Sequence, residues 1–147
     1  MMRQDVREIF EIREIIECGV AKRVALARDE KDFQTKKKEL QEFFKKSAKD
    51  QVSIWGPEED VHQFIVKRIE NRKLYETYLG LLDHIKRIRL HFGGRFTRQR
   101  FENMLSEHIE ILDAIIDGDP ERSEKAIQNH LRTAAAYVLG LASPEKG

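Results

Sequence analysis

The sequence predicts an all-α protein, an antiparallel bundle of six helices with a metal site in its core. Apolar residues recur at every third or fourth position almost throughout the chain, which is the period of an amphipathic helix. Glycine and proline are scarce, at 8 and 3 of 147 residues. Most of them fall between the periodic stretches, where they end one helix and begin the next.

The composition favours one soluble, cytoplasmic domain that spans residues 1–147. Hydrophobic residues make up 40% and charged residues 36%, which suits a bundle with charged outer faces. The net charge of +1 gives no basic field that could hold nucleic acid unaided. Cys18 is the only cysteine, so an internal disulfide and a thiolate metal cluster are excluded. No apolar run approaches the ~20 residues that a membrane span needs.

The first three predicted helices span about Asp5–Arg28, Lys31–Ala48 and Pro57–Glu70. The second helix carries the lysine run Lys36-Lys37-Lys38 opposite its apolar stripe, so we interpret this run as a solvated face. Gly56 precedes Pro57, and proline is well suited to the first turn of a helix.

The last three predicted helices span about Lys73–Phe92, Thr97–Asp117 and Pro120–Leu141. Gly93-Gly94 ends the fourth helix, and Gly118 ends the fifth. Asp119 and Pro120 suit the N-cap and the first helical position of the sixth helix, which Ser143-Pro144 ends.

Three histidines fall on apolar helix faces. His108 and His130 lie on the apolar stripes of the fifth and sixth helices, and His62 shares one face of the third helix with Glu58, four residues earlier. An unpaired imidazole in an apolar core costs free energy. Three histidines and a carboxylate directed at one core therefore suggest a divalent metal site. Core histidines without a metal remain the open alternative.

Two arginines also lie among apolar residues at helical spacing. Arg13 and Arg89 need an anion if they are buried. That anion is either an internal partner, such as Glu17 four residues after Arg13, or a bound carboxylate beside the metal. In contrast, His84 and His91 lie seven residues apart at the edge of a stripe, so we interpret them as surface residues.

Four motifs in order resemble the FCD domain, the C-terminal sensor domain of FadR-type GntR transcription regulators. The stretch Phe10–Glu17 resembles the arginine-then-acid helix that begins this domain. Three further features of this chain resemble the later signatures of that domain. They are the Glu58-x-x-x-His62 spacing, the stretch Glu107–Ile115, and Gly118–Glu121 followed by Asn129-His130-Leu131. The resemblance covers about Val6 to Leu141.

This resemblance implies a divalent metal, commonly zinc or nickel, held by Glu58, His62, His108 and His130. It implies a small carboxylate effector at or beside the metal, with Arg13 and Arg89 as the candidate effector-binding residues. Six helices resemble the VanR-type branch of the family, whose members are expected to be homodimers. Glu58 stands where aspartate is usual. No winged helix-turn-helix precedes the domain in this chain, so we expect it not to bind an operator by itself.

Two other classes of function stay open at this point. The first is a metal-dependent hydrolase, which needs a general base near the metal. Glu107 is next to His108 but points about 100° away around the helix. The second is a purely structural dimerisation bundle, in which Ala135, Val138 and Leu139 of the last helix could form the dimer contact. Packing of the last helix in the core explains these three residues equally well. We favour the sensor over either alternative and expect no enzyme activity.

Overall fold

Six α-helices make up most of the part of the chain that the computed structural model describes, which is residues 2–27, 30–46 and 55–142, with the backbone alone for 55–60. The helices are α1 (Arg3–Ala27), α2 (Glu30–Lys46), α3 (Trp55–Lys67), α4 (Arg72–Phe92), α5 (Arg98–Ile116) and α6 (Pro120–Leu141). A short 3-10 helix, Gly93–Arg95, connects α4 to α5. These residues contain no strand, which confirms the all-α class, whereas the antiparallel order stays a prediction.

One apolar core joins the helices. α1 and α6 pack against each other along much of their length, α5 packs against both α6 and α2, and α3 contacts α1. Side chains from every helix enter the core, among them Val20, Leu40, Ile65, Ile111 and Leu131. No helix in the described part of the chain is long and apolar enough to cross a membrane.

The predicted helix ends are set by local hydrogen bonds. Asn71, Thr97 and Asp119 each cap the helix that follows, because each side chain accepts a hydrogen bond from the backbone N–H three residues later. Gly118 follows α5 with a φ of 67°, in the left-handed region that glycine adopts readily. The predicted starts of α4, α5 and α6 are therefore correct to within one residue.

The end of α3 and one lysine differ from the sequence prediction. α3 ends at Lys67 and not at Glu70, because Glu70 has a φ of 55° and so leaves the right-handed helical region just before the cap. Lys36, interpreted above as solvated, is buried. Its apolar stem is covered, and its ammonium group lies 3.5 Å from the Glu39 carboxylate and 5.6 Å from the centre of the Phe64 ring. The predicted helix ends at Arg28 and Ala48, and the stop at Ser143-Pro144, lie outside the described residues.

The apolar stripe on the last helix belongs to the core. Val138 is buried, and Ala135 and Leu139 pack against the same apolar cluster. These residues therefore contribute to the packing of α6 within the chain, while Ala135 and Leu139 are only partly buried, so a dimer contact there stays a prediction.

Candidate metal centre

Three histidines from three helices meet in the core. His62 comes from α3, His108 from α5 and His130 from α6, and all three side chains are buried. Their Nε2 atoms lie 3.1 Å from one another in all three pairs. Among the described residues, these three form a group whose ligand atoms are close enough together to hold one metal ion.

A carboxylate on α1 orients His62 from the opposite side of its ring. The Nδ1 atom of His62 is hydrogen-bonded to Oε1 of Glu17, and Arg13 Nε donates to the other oxygen of Glu17 at 2.9 Å. Both Arg13 and Glu17 are buried. The internal partner predicted for Arg13 is therefore present, and the same carboxylate turns the Nε2 atom of His62 towards the other two histidines.

A second carboxylate orients His130 in the same way. The Nδ1 atom of His130 lies 2.7 Å from Oε1 of Glu107. The two terminal nitrogens of Arg100 donate to the two oxygens of Glu107, at 2.8 and 3.1 Å. Such bidentate pairs fix the carboxylate geometrically as well as electrostatically. Two arginine–glutamate pairs therefore support the cluster. The pair on α1 holds His62, and the pair on α5 holds His130.

Burial favours the neutral form of all three imidazoles. It is the largest cause lowering the pKa of His62, His108 and His130, and the neighbouring histidine adds to the effect at His108 and His130. Burial alone would raise the pKa of Glu17, but the charge of Arg13 and the hydrogen bonds from His62 and Arg13 hold it well below its ordinary value. Burial raises the pKa of Glu107, and Arg100 opposes that rise.

These protonation states suit a cation. When His62 and His130 donate their Nδ1–H groups to carboxylates, both of their Nε2 atoms carry lone pairs. Two lone pairs that face each other at 3.1 Å cannot form a hydrogen bond, so the arrangement favours a positive ion among the nitrogens. Nitrogen ligands held about 2.1 Å from one ion are about 3.0 Å apart at a right angle and about 3.4 Å apart at a tetrahedral angle. The observed separation of 3.1 Å fits a first-row ion bound through one face.

A cavity of about 40 Å³ adjoins the histidines, and three arginines contribute to its lining. They are Arg13 from α1, Arg89 from α4 and Arg100 from α5. Arg100 is buried, and within the described part of the chain its Nε atom has no hydrogen-bond partner. No carboxylate belongs to this lining among the residues whose side chains are described. Glu17 and Glu107 already pair with Arg13 and Arg100, but the remaining guanidinium donors on the lining, among them Arg100 Nε, can still bind an anion.

The structure places the predicted site residues as follows. His62, His108 and His130 come together, and Arg13 and Arg89 line the cavity beside them. Glu58 lies in α3 one turn before His62, but its side chain is outside the described part, so its role as a ligand stays a prediction. His84 and His91 are exposed and line a groove between α1 and α4, in agreement with their interpretation as surface residues.

Sequence reasoning missed how the histidines are oriented. Glu107 does point away from His108, but it points towards His130 on the neighbouring helix. Arg100 and Glu107 are seven residues apart, and this spacing puts both on one face of α5. The spacing was a readable signal for their ion pair. No comparable local signal joins Glu17 on α1 to His62 on α3.

Replacing Glu17 with glutamine should weaken metal binding by about 10- to 100-fold, because the charged partner of His62 is lost while its shape is kept. The buried Arg13 also loses its counter-charge, which we expect to lower the free energy of unfolding by about 3 kcal/mol. Competition with a chromophoric chelator measures the first effect, and urea denaturation measures the second. The control is Glu14→Gln, since the Glu14 carboxylate instead bonds Gln128 and Arg132 near the surface. Equal metal affinity in the two variants would contradict the role given to Glu17.

Together, the helical bundle, the buried three-histidine cluster and the arginine-lined cavity define an all-α ligand-sensing domain. The chain belongs to the FCD domain family, which matches residues 8–133. It is also 26% identical, over 100 residues, to the HTH-type transcriptional repressor NanR of Klebsiella aerogenes. That match covers 68% of this chain but 38% of NanR, so the chain spans well under two thirds of this relative. Membership of the family makes the chain an effector-sensing regulatory domain and points to a non-enzymatic class of protein.

Proposed function

We propose that this chain is the single effector-sensing domain of a GntR-type transcription regulator, in which a small organic carboxylate binds at a divalent metal ion. The observation that carries the proposal is the meeting of three Nε2 atoms at 3.1 Å, beside a cavity with three arginines. Zinc is the first candidate for the ion and nickel the second, because both accept neutral imidazole ligands.

His62, His108 and His130 would hold the ion, and Glu58 would be the fourth protein ligand. Glu58 precedes His62 by one helical turn, so a carboxylate on that face of α3 can approach the same ion. When bound, the ion supplies a fixed positive charge that attracts carboxylate oxygens. Glu17 and Glu107 contribute by holding His62 and His130 with their Nε2 atoms directed at the ion.

The effector would be recognised by charge. Arg13 and Arg89 would neutralise the part of the carboxylate ligand that the ion does not, and Arg100 adds a third guanidinium to the same cavity. Arginine suits this role because its planar group can donate two parallel hydrogen bonds to one carboxylate. Phe10, Phe96 and Met104 form apolar walls that would contact the carbon skeleton of the effector.

Binding at this centre connects several helices, which suggests how the signal spreads. The three histidines come from α3, α5 and α6, and Glu17 attaches α1 to the same cluster. A ligand that fits one packing of these helices better than another shifts the equilibrium between them. In a full-length cytoplasmic regulator, we propose, this shift repositions a winged helix-turn-helix module that binds DNA, and the regulator acts as a homodimer. The hydrolase alternative gains no support, because Glu107 is held between Arg100 and His130.

In the metal-loaded protein, replacing Arg89 with glutamine should weaken effector binding by about 10- to 100-fold, which is the loss expected for one charged hydrogen-bonding partner. The measurement is a calorimetric titration with a panel of small mono- and dicarboxylates. Arg87→Gln is the matched control, since Arg87 is two residues away on the same helix and lines the surface groove between α1 and α4 instead of the cavity. If no carboxylate in the panel binds to the metal-loaded wild type, the effector class proposed here is wrong.

A further inference from the structure

A polar groove on the surface adjoins the small cavity beside the three histidines. It has a volume of about 300 Å³ and lies between α5 and α6, at the end of this helix pair opposite the turn that joins them. We call it the α5–α6 groove. Apart from one arginine, its described lining side chains are uncharged, and each carries a hydrogen-bond donor. The lining consists of Thr97, Gln99, Arg100, Asn103, Thr133 and Tyr137.

Arg100 connects the α5–α6 groove with the cavity, because it belongs to the described lining of both. Its side chain is buried, and its two terminal nitrogens donate to Glu107. Its Nε atom has no hydrogen-bond partner among the described residues. An anion that reaches the groove therefore meets a guanidinium group that also lines the cavity of the metal centre.

Two larger surface grooves are less suited to admit an anion to this centre. They lie between α1 and α6, at about 860 Å³, and between α1 and α4, at about 750 Å³. Neither shares a described lining residue with the cavity, and in each of them carboxylates outnumber lysines and arginines. The described lining of the α5–α6 groove contains no carboxylate, so its charge attracts an anion instead of repelling it.

Tyr137 of α6 contributes to the wall between the α5–α6 groove and the cavity. Its ring packs edge-on against Phe96, which lines the cavity, with the ring centres 4.8 Å apart. The guanidinium carbon of Arg100 lies 5.4 Å from the centre of the same ring. The Tyr137 hydroxyl accepts a hydrogen bond from the backbone N–H of Thr97 at 3.1 Å. An aromatic pair and an arginine therefore stand between the groove and the metal centre.

The two ends of the α5–α6 pair are held differently. At one end, residues 117–119 join the helices directly, and Arg122 of α6 also bonds Glu110 of α5. At the groove end there is no such short connection, and side chains make the contacts between the helices. The hydrogen bond from Thr97 to Tyr137 is one of these contacts. The helices can therefore separate more readily at the groove end, once Tyr137 moves.

We propose that the α5–α6 groove is the entrance through which an anionic ligand reaches the metal centre, and that displacement of Tyr137 opens it. The inference rests on the metal of the proposed function but not on the identity of the effector. Arg100 makes the entrance selective for negative charge. The hydrogen-bond donors around it favour a ligand that carries further polar groups.

The first test measures how fast dipicolinate, a small dianionic chelator, removes zinc from the zinc-loaded protein. Tyr137→Ala should accelerate the removal by at least about 10-fold, because the loss of an aromatic contact from the closed state changes a rate by about that factor. Thr133→Trp should slow it by a similar factor, because the larger ring fills the groove. Tyr75→Ala and Thr77→Trp are the matched controls, since both residues are on α4 and line none of the grooves described above.

An equilibrium competition with the same chelator separates the path from the site. An entrance speeds binding and release equally, so Tyr137→Ala and Thr133→Trp should retain the zinc affinity of wild type. A change in removal rate that is matched by an equal change in zinc affinity would overturn the proposal, because the residue would then act on the ligands of the ion. Circular dichroism checks that every variant keeps the helical content of wild type.

The second test changes the charge of the entrance. Asn103→Asp keeps the acceptor for the hydrogen bond that Gln99 donates, but it adds a negative charge to the groove. It should slow zinc removal by dipicolinate about 5-fold, by repulsion of the dianion. It should leave removal by 1,10-phenanthroline, a neutral chelator, unchanged. Gln4→Glu is the control, because it adds the same charge on α1 outside the described lining of every groove.

The outcomes distinguish this entrance from the proposed function. If wild type holds no zinc, both the metal centre and the entrance are wrong. If zinc is held but Tyr137→Ala and Thr133→Trp leave the removal rate unchanged, the entrance alone is wrong. Equal slowing of both chelators by Asn103→Asp would likewise overturn the entrance, since its selectivity for charge would be absent.

Discussion

Replacing His108 with alanine should leave the protein without its metal. Elemental mass spectrometry should find about one equivalent of zinc or nickel in wild type purified without a chelator. We expect almost none in His108→Ala, because this variant loses one of three imidazole ligands. That loss should weaken metal binding far more than the 10- to 100-fold expected when a residue that only orients a ligand is replaced. The same outcome is expected for His130→Ala, since its Nε2 atom is equally close to the other two.

The matched control for this experiment is His84→Ala, because His84 is exposed on α4 and lines the outer groove. It should retain the full equivalent of metal. Circular dichroism and size-exclusion chromatography separate the loss of a ligand from the loss of the fold. A wild type that takes up no divalent ion even after reconstitution would make the three histidines ordinary core residues, and the metal proposal would fail.

Removing the metal from wild type should lower its melting temperature by about 10 °C. An ion present at about 1,000 times its dissociation constant stabilises the folded state by about 4 kcal/mol. For a domain of this size, 1 kcal/mol corresponds to about 2–4 °C. The expected loss is large because three buried Nε2 atoms would be left facing one another at 3.1 Å without a cation.

Differential scanning calorimetry, with and without a strong chelator, measures this change. The His130→Ala protein serves as the internal control, because a chain that holds no ion should melt at the same temperature in both conditions. If wild type and His130→Ala respond equally to the chelator, the stabilisation does not come from this centre.

The sequence predicted the fold well where one helix could be understood from its own residues. Asn71 and Asp119 are local caps, and Gly118 is a local stop, so the ends that they set could be predicted. Lys36 was misjudged because its burial depends on Phe64 of another helix, against which its ammonium group lies. The end of α3 was also misjudged, because the left-handed conformation of Glu70 has no signature in a glutamate.

The same limit applies to the site. Each histidine could be identified from the apolar face of its own helix, and three of them on different helices suggested one metal site, which the resemblance to a known family also implies. The partners of the Nδ1 atoms could not be identified in this way. Glu17 is 45 residues from His62 in the sequence, and Glu107 is 23 residues from His130. Such contacts depend on how the helices pack, and spacing within one helix does not contain that information.

The small size of the cavity has a consequence for how a sensor of this kind must work. At about 40 Å³ it is several times smaller than the ~300 Å³ or more of an ordinary small-molecule pocket. Under the function proposed here, an organic acid can therefore enter only by displacing side chains such as Phe96 and Met104. Part of its intrinsic affinity is then used to populate an expanded packing, and the measured affinity falls by the same factor. An anion small enough to fit without such displacement would bind without changing the helix packing. Under this proposal, only a ligand large enough to expand the cavity would produce a signal.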